Sequence, residues 1–399
     1  MTLRKIQGWF LALLLLSAGL GAEEPSALYL SWTRDPTSTM VIRWHTSKKD
    51  RETEVSYQKE GEKTWKKREG TAALLQKSSL LIHSTELTDL EEDTTYLFKV
   101  GEEETTYKFR TCPKSLKRPL RFAVAGDAYF YLYLLRKMNT QIAAADPDFV
   151  VVGGDIAYAH GHKSLFKGRD WEAKRWGTFL QEWQKQMVTS DGRLIPMVVV
   201  VGNHDVKSRQ IGGAFYQLFP FPQENIPYRT LDFGSYFSLF LLDTNHTYPI
   251  DGEQSKWLDS ALSARMDVPF KIPVYHVAAY PSVYQYEGSV PTKIRSTWVP
   301  LFEKYGVKLA FENHNHAYKR SHPIKAGKID PEGITYLGDG AWGVSPRKPR
   351  PLASSWYLAK AAQLDCFWLI TLGQEGYTVR SYDEEGSLIE ELPSPRKSL

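Results

Sequence analysis

Cysteine is scarce in this sequence of 399 residues, which contains only Cys112 and Cys366. Two thiols are too few for a cysteine-ligated zinc site or for a small fold held together by disulfides. In an oxidising compartment the two could form one bridge, and two buried, reduced thiols are an equally good expectation. The chain is therefore neither a disulfide scaffold nor a zinc-finger protein.

A strong excess of charge of one sign is also lacking. The formal net charge is +4, and removal of residues 1–22 would take away Arg4 and Lys5 and no acid, leaving +2. Such a weak field does not indicate nucleic acid or an acidic membrane as a partner. With 42% hydrophobic and 24% charged residues, the composition is that of a folded protein long enough for two domains.

Long hydrophobic runs are absent beyond the first residues. Residues 1–22 combine the basic Arg4 and Lys5 with an apolar centre at 9–16 and a small-residue exit at 17–22, which is typical of a secretory signal peptide. An uncleaved membrane anchor is the alternative, but a bilayer span needs about 20 apolar residues. We expect a secreted or periplasmic protein with no membrane attachment after cleavage, and a mobile tail at 393–399.

The first part of the chain, residues 23–116, predicts a small β-sandwich. Short strand-like runs at 27–32, 40–45, 54–58 and 96–100 are separated by polar, turn-forming stretches. The stretch LTDLEEDTTYLFKV resembles the tyrosine corner of fibronectin type III modules, in which the hydroxyl of Tyr96 would tie a strand to a loop. A basic connector that contains proline follows Cys112 and marks the domain boundary.

Residues 117–392 predict an α/β domain. Apolar strands in RFAVAGD, DFVVVGGDIAY, LIPMVVVVGNHD, YFSLFLLDTN, FKIPVYHVAAY and VKLAFENHNH alternate with helical stretches at 129–145, 170–188, 253–266 and 292–305. Nearly continuous valine-rich runs fit strands that are buried on both faces. Beyond Gly333, TYLGDGAW, CFWLITLG and YTVRSY predict strands that complete the core in antiparallel orientation. The three tryptophans at 171, 176 and 183 are interpreted as core packing.

Five of the apolar strands end in side chains of types that bind metals. They are Asp127; Asp155 and Tyr158; Asn203 and His204; His276; and His314 and His316. The carboxyl ends of strands in an open α/β sheet converge on one crevice, so these residues would meet in space. A single Gly-Asp after a strand is more often a turn, and a single histidine is more often a satisfied polar residue. Five such ends in succession favour a functional site.

The ligand types indicate the kind of metal. Carboxylate, amide, phenol and imidazole groups without thiolate suit Fe, Zn or Mn rather than Cu(I) or an iron–sulfur cluster. One tetrahedral Zn takes four ligands, whereas two ions about 3.5–4 Å apart that share a carboxylate would use the whole set. Because a phenol has a pKa of about 10, Tyr158 would ligate as phenolate only to a strongly Lewis-acidic ion such as Fe(III).

The ordered series GD, GDxxY, GNHD, a strand-borne histidine and His-x-His resembles the purple acid phosphatases, within the wider metallophosphoesterases. The tyrosine of GDxxY distinguishes the purple group, and Tyr158 supplies it. The resemblance spans the second domain, for which it implies a calcineurin-like αββα sandwich. The front half is similar to the N-terminal domain of the two-domain plant and bacterial members.

The resemblance also implies residue roles. The ferric ion would be bound by Asp127, Tyr158 and His316, and Asp155 would bridge it to a second ion. The divalent site, for Zn, Mn or Fe, would be completed by Asn203, His276 and His314. His204 would contact phosphate or donate a proton to the leaving group.

The sequence departs from the family pattern in three places. Asn313 stands where a glycine usually precedes His-x-His, and Pro273 stands at the Val of Val-x-x-His. The stretch PSVYQYEGS after His276 lacks the histidine pair that plant members use near the substrate, and has Tyr284 and Gln285 instead. Of these, Tyr284 is a candidate substrate contact. His160 and His162 could replace the missing histidine pair as proton donors. The alternative, which is somewhat favoured, is that each is simply a polar residue of an exposed loop. Asn245-His246-Thr247 is interpreted as a glycosylation acceptor.

The expected activity is that of an acid phosphatase acting on small phosphorylated substrates. A metal-bound hydroxide would attack the phosphorus of a monoester. A phosphodiesterase or nucleotide pyrophosphatase with the same metals is the nearest alternative. A catalytically silent surface-binding protein is a further one, but such proteins normally lose ligands, and here the set is complete.

Overall fold

The computed structural model describes residues 26–161, 170–207, 209, 211–338 and 340–392. The predicted signal peptide at 1–22 and the tail at 393–399 lie outside the described residues, as does His162. Within the described ranges, none of the helices has both the length and the apolar character that crossing a bilayer requires.

Residues up to 110 form a β-sandwich, as predicted. Its strands are β1 (Ala27–Ser31), β2 (Met40–Ser47), β3 (Val55–Lys59), β4 (Lys66–Arg68), β5 (Thr71–Leu74), β6 (Leu80–Leu87), β7 (Thr95–Val100) and β8 (Tyr107–Arg110). They make two four-stranded sheets with the orders β1-β2-β6-β5 and β4-β3-β7-β8. Tyr96 makes the predicted tie, since its hydroxyl accepts the backbone N–H of Glu91 at 2.9 Å.

The second domain contains the remaining strands and all the helices of the described chain. The elements up to residue 277 are β9 (Leu120–Ala125), α1 (Leu132–Ala144), β10 (Phe149–Val152), α2 (Trp171–Gln186), β11 (Met197–Val199), α3 (Ala214–Leu218), β12 (Arg229–Phe233), β13 (Phe237–Leu242), α4 (Glu253–Ser263) and β14 (Phe270–Val277). After them come α5 (Ser289–Thr297), α6 (Val299–Lys304), β15 (Leu309–Asn313), β16 (Tyr318–Ser321), β17 (Ile324–Lys325), β18 (Lys328–Ile329), β19 (Thr335–Gly338), β20 (Leu358–Ala362), β21 (Cys366–Gly373), β22 (Gly376–Asp383) and β23 (Leu388–Leu392).

Two large sheets lie face to face at the centre of this domain. One has the order β11-β10-β9-β21-β22-β23 and the other β12-β13-β14-β15-β19-β16-β20. Their facing surfaces meet through stacked phenylalanines: Phe122 lies 5.2 Å from Phe237, and Phe149 lies 5.0 Å from Phe233, between ring centroids. Helices α1 to α3 cover the outer face of the first sheet and α4 to α6 that of the second. The predicted αββα sandwich is confirmed.

Some elements differ from the sequence expectation. The single helix predicted at 292–305 is two helices that meet at Trp298. Pro300 follows at the start of α6, where its missing N–H breaks the hydrogen-bond ladder of α5. The strand predicted in TYLGDGAW pairs parallel with β15, not antiparallel, although it is antiparallel to β16. The other two late strands, β21 and β22, are antiparallel as predicted.

The burial of the two cysteines and of the tryptophans in α2 bears on what the sequence predicts for them. Cys112 and Cys366 are both buried and are not joined in a disulfide, and burial raises the pKa of the Cys112 thiol well above its ordinary value. In α2, Trp176 and Trp183 are buried in the core as predicted. Trp171 is only half-buried and has the Arg175 guanidinium over its ring at 5.9 Å.

The two domains share one hydrophobic core. Trp32, which follows β1, is fully buried and packs edge-on against Phe149 at 5.7 Å and Phe233 at 6.3 Å. The Tyr29 hydroxyl donates to the carbonyl of Leu218 at 2.7 Å. The connector between β8 and β9 is tied as well, because Tyr236 donates its hydroxyl hydrogen to the carbonyl of Pro113 at 2.9 Å. The sandwich is therefore built into the second domain.

This shared core predicts that trypsin will not release a free fragment beginning near Leu120. Separation would expose Trp32 and its phenylalanine partners, which is costly. Native digestion followed by size-exclusion chromatography should show one species that contains both domains, even if the connector is cut. Trp32→Ala, which should cost about 3–5 kcal/mol, should speed release. Two separately eluting, folded fragments from the unmutated protein would contradict the shared core.

Candidate metal centre

The strand ends singled out in the sequence meet at one edge of the two facing sheets. Asp127 follows β9, Asp155 and Tyr158 follow β10, and Asn203 follows β11, so the first sheet supplies these four. The second sheet supplies the histidines: His276 lies on β14, and His314 and His316 follow β15. Parallel pairing of β9, β10 and β11, and of β14 with β15, brings the carboxyl ends together.

Three side chains form one half of the centre. The Tyr158 hydroxyl lies 2.9 Å from Asp127 Oδ1 and 3.0 Å from His316 Nε2. His316 Nε2 is in turn 2.9 Å from Asp127 Oδ1. The three ligand atoms therefore form a small triangle of one carboxylate, one phenol and one imidazole, which is a donor set suited to a hard, Lewis-acidic cation.

Four side chains form the other half. His276 Nε2 is at its centre, 3.2 Å from Asp155 Oδ2, 3.2 Å from Asn203 Oδ1 and 3.1 Å from His314 Nδ1. One ligand atom from each of Asp155, His276 and His314 lies within 4.8 Å of the others. His276 Nδ1 lies 2.9 Å from the carbonyl oxygen of Gly153, which sets the ring so that Nε2 faces the cluster.

The environment of Asp155 tests whether the residues fit a metal. Its Oδ1 accepts the backbone N–H of His204 at 2.7 Å. Its Oδ2 is buried and faces His276 Nε2 at 3.2 Å without a well-aligned hydrogen bond. A buried carboxylate oxygen without a hydrogen bond is costly unless a cation occupies that position. The arrangement therefore fits a metal ion bound at Asp155.

The backbone of the ligand loops is unusual. Asp127, Asp155, Tyr158, His314 and His316 all have positive φ, between 50° and 77°. Residues other than glycine seldom adopt this left-handed region, and each costs of order 1–3 kcal/mol. Five such residues among the seven ligand positions concentrate strain at this one site. Strain of this kind persists where the surrounding packing, and a bound ligand, hold the loops in place.

Asn313, the departure from the family glycine, links β15 to β14 and packs against the first sheet. Its Nδ2 donates to the carbonyl of Tyr275 at 3.0 Å. Its amide fills the space in front of two glycines: a Cβ on Gly126 would lie 2.6 Å from Asn313 Oδ1, and one on Gly153 would lie 2.1 Å from Nδ2. Since both ligand loops of the first sheet carry glycine at these points, the larger side chain at 313 is accommodated.

Pro273, the second departure, lies in the middle of β14. It pairs with Phe240 of β13, and the pairing with β15 is irregular between Val274 and Val277. Proline has no N–H to donate to a sheet ladder. The strand nevertheless continues to His276, so the substitution leaves the ligand in place.

The ionisation of the centre depends on burial and on neighbouring charges. Burial, and then the carboxylates Asp127 and Asp155, raise the pKa of Tyr158 well above 10.0, with the Arg347 guanidinium opposing the rise. Burial lowers the pKa of His276, but Asp155 outweighs it and raises this pKa to about 10. Phenolate formation at Tyr158 therefore needs a strongly Lewis-acidic cation.

His204 lies beside the two halves. Its ring stacks on that of Tyr158 with centroids 4.7 Å apart, and Nε2 is 4.0 Å from Asp155 Oδ2. Its Nδ1 lies 2.8 Å from the carbonyl oxygen of His160 and must be protonated to donate to it. The imidazole of His160 is itself 3.0 Å from Glu172 Oε1. His160 therefore holds His204 through its backbone, and its own ring is engaged with Glu172.

Tyr284 is the predicted substrate contact that lies over the second half. Its ring is 41% exposed and 5.1 Å from the ring of His314, between centroids. Arg347 donates to the Tyr284 hydroxyl. Sequence reasoning missed Arg347, because it belongs to a loop far along the chain with no recognisable motif.

Two further residues near the centre were missed. Asp205 is buried, and its carboxylate accepts the N–H groups of Gly202 and Ile156 at 2.8 Å each, joining the loops after β10 and β11. Burial, and then the charge of Asp155, raise the pKa of Asp205 to about 8. His246, within the predicted glycosylation acceptor, lies 5.5 Å from His276 between ring centroids. The sequence signal that could have identified His246 is its position shortly after β13, since the ends of the neighbouring strands carry ligand-type residues.

Comparisons with known proteins identify a family for each of the two domains. Residues 25–111 match a family model described as the purple acid phosphatase N-terminal domain, and residues 120–318 match one described as calcineurin-like phosphoesterase. Purple acid phosphatase 18 of Arabidopsis thaliana is 27% identical over 328 residues, covering 78% of this chain and 68% of that protein. Purple acid phosphatase 21 of the same plant is 27% identical over 274 residues, covering 65% and 58%. An uncharacterized Mycobacterium tuberculosis protein is 25% identical over 377 residues, covering 83% and 66%.

Solved structures show the same fold. The purple acid phosphatase PPD1 from yellow lupin (Lupinus luteus) seeds has a TM-score of 0.75 at 17% identity, covering 92% of this chain and 73% of its own. A structure of PhoD has a TM-score of 0.66 at 12% identity, covering 94% of each chain. With both domains matched in order, and the ligand-type residues gathered at one sheet edge, this chain belongs to the purple acid phosphatase family of phosphoesterase hydrolases.

Proposed function

We propose that this chain is a secreted acid phosphatase that hydrolyses phosphate monoesters at a pair of metal ions. The single observation that carries the proposal is the meeting of seven ligand-type side chains in two adjoining groups, linked where the His314 backbone N–H donates to Asp127 Oδ2 at 3.0 Å, with the buried Asp155 carboxylate in the second group. Fe(III) would be held by Asp127, Tyr158 and His316, and a divalent Zn, Mn or Fe by Asn203, His276 and His314, with Asp155 shared.

When bound, such a pair of ions lowers the pKa of water and neutralises charge on a phosphoryl group. The protein's own contribution on the leaving-group side is His204. Because Nδ1 lies 2.8 Å from the His160 carbonyl oxygen and donates to it, Nε2 is the nitrogen left to hold a proton toward the substrate. Stacking on Tyr158 restrains the ring, so this nitrogen stays at the edge of the ligand cluster. Nε2 of His204 would donate its proton to the departing alkoxide.

The proposal is tested by metal analysis together with a pair of substrates. The purified protein should contain about two metal ions per chain, including iron, and should hydrolyse 4-nitrophenyl phosphate faster than bis(4-nitrophenyl) phosphate. Asp155→Asn should reduce the content of both ions and abolish activity, since the shared ligand loses its charge. Faster cleavage of the diester would favour a phosphodiesterase. Absence of bound metal in an active protein would contradict the whole assignment.

The iron assignment predicts a colour. Purified aerobically, the protein should be pink to purple through charge transfer from the Tyr158 phenolate to Fe(III), and Tyr158→Phe should bleach it. Tyr284→Phe is the matched control, because Tyr284 lies 5.1 Å from the His314 ring without belonging to the ligand set, and it should keep the colour. Visible absorption spectroscopy makes the measurement. A colourless unmutated protein that holds only Zn or Mn would overturn the ferric assignment and leave the two-metal one.

The proton-donor role of His204 predicts a loss that depends on the leaving group. His204→Ala should keep both ions and lose about 10²- to 10⁴-fold in rate on alkyl phosphates. The loss should be smaller on aryl phosphates, whose leaving groups need less protonation. His160→Ala keeps the backbone carbonyl that holds His204 and should change the rate little. Equal losses on alkyl and aryl esters, or loss of metal from His204→Ala, would show that His204 is not the acid.

A further inference from the structure

A basic loop crosses the mouth of the candidate metal centre. It comprises residues 346–351, with the sequence PRKPRP, and is called the basic loop below. At one point the backbone N–H of Arg347 donates to the carbonyl of His316 at 2.7 Å. Further on, the backbone N–H of Arg350 donates to the carbonyl of Ser282 at 2.8 Å. The basic loop is therefore fastened both to a loop that carries ligand-type histidines and to the loop after β14.

The side chain of Arg347 is directed to the same place. Its guanidinium donates to the Tyr284 hydroxyl and lies 5.3 Å from the centroid of the Tyr284 ring. Tyr284 in turn covers His314, with 5.1 Å between ring centroids. Arg347 is half-buried, so its conformation is restrained while part of the group faces solvent. The tyrosine hydroxyl thus positions a cation beside the second half of the centre.

The charge of Arg347 is not balanced by a carboxylate among the residues that the structure describes. Several other arginines of the domain are paired with a carboxylate, as in Arg320, whose guanidinium binds Glu390 through two contacts of 3.0 Å. The sequence from 340 to 364 contains no aspartate or glutamate, while it contains Arg347, Lys348 and Arg350. A restrained guanidinium with spare donors, and with no ion pair to a carboxylate among the described residues, is suited to bind an anion.

We propose that Arg347, held in place by Tyr284, binds the phosphate group of the substrate at the mouth of the metal centre. The inference rests on the proposed function for the identity of the substrate. Arg347 supplies an anion contact on the side where the stretch PSVYQYEGS lacks a histidine pair. A planar guanidinium can bind two phosphate oxygens at once, and its charge favours the dianionic phosphate of a monoester over the singly charged phosphate of a diester.

The test is equilibrium binding of inorganic phosphate to the metal-loaded protein, measured by isothermal titration calorimetry. Arg347→Gln should weaken binding by about 10- to 100-fold, as expected for loss of a charge-assisted hydrogen bond. Tyr284→Phe removes only the positioning hydroxyl and should weaken binding by about 2- to 10-fold. Lys348→Gln is the matched control: it removes the same charge from the next, exposed residue of the basic loop and should change binding by less than about 3-fold.

Each outcome bears on the proposal. Selective weakening in Arg347→Gln with unchanged metal content supports it. Equal weakening in Arg347→Gln and Lys348→Gln would mean that only the general field of the loop matters, and would overturn it. Unchanged phosphate affinity in Arg347→Gln, or loss of metal from that variant, would also overturn it. If the unmutated protein binds phosphate through Arg347 but hydrolyses no monoester, the binding role stands and the proposed function fails.

Discussion

The packing of the two central sheets against each other is the interaction on which the site depends. Each sheet carries only part of the ligand set, the carboxylates, amide and phenol on one and the histidines on the other. The stacks of Phe122 on Phe237 and of Phe149 on Phe233 set the separation of the sheets. Phe122 and Phe149 lie in β9 and β10, whose ends bear ligands, and Phe237 lies in β13, the neighbour of the His276 strand β14. A change in this aromatic layer would therefore move the two groups of ligands relative to each other. The same layer receives Trp32 from the N-terminal sandwich, which explains why the first domain is part of the support for the site.

Closer to the metal centre, polar contacts restrain the ligand loops, in which several residues have positive φ. Asn313 on β15 donates to the Tyr275 carbonyl of the neighbouring β14, and its amide packs against Gly126 and Gly153 in two ligand loops of the first sheet. Behind it, the buried Glu312 carboxylate accepts the Tyr275 hydroxyl at 2.6 Å and the N–H of Ala279 at 2.7 Å, and it pairs with the buried Lys319. These contacts fasten β14 to β15. Breaking a buried pair of this kind leaves an uncompensated charge, so the network restrains the backbone at positive φ in the adjoining His314 and His316.

The side that faces the substrate is assembled differently. His204, Tyr284 and Arg347 lie on three loops that are distant in sequence, and contacts with neighbouring loops position each of them. The His160 carbonyl holds His204, Asn315 accepts the backbone N–H of Tyr284 at 2.9 Å, and Arg347 donates to the Tyr284 hydroxyl and to the His316 carbonyl. Loops tolerate substitution more readily than strands do. The absence of a histidine pair from these loops therefore does not disturb the arrangement of the ligand-type residues, which are carried by the strand ends.

The sequence by itself determined the buried central strands of the second domain, the order of the domains and the ligand-type residues, because strand burial and strand-end chemistry are encoded in local patterns. Short and edge strands such as β4, β12 and β20 were not predicted. Asp127, Asp155 and His276 could be singled out in this way, and the αββα layering followed from the alternation of strands and helices. The division of 292–305 into two helices and the parallel pairing of β19 depended on tertiary contacts. Only the tertiary structure placed Arg347 over Tyr284 and His246 beside His276. A loop residue's neighbours are set by long-range packing, and no spacing within its own segment encodes them.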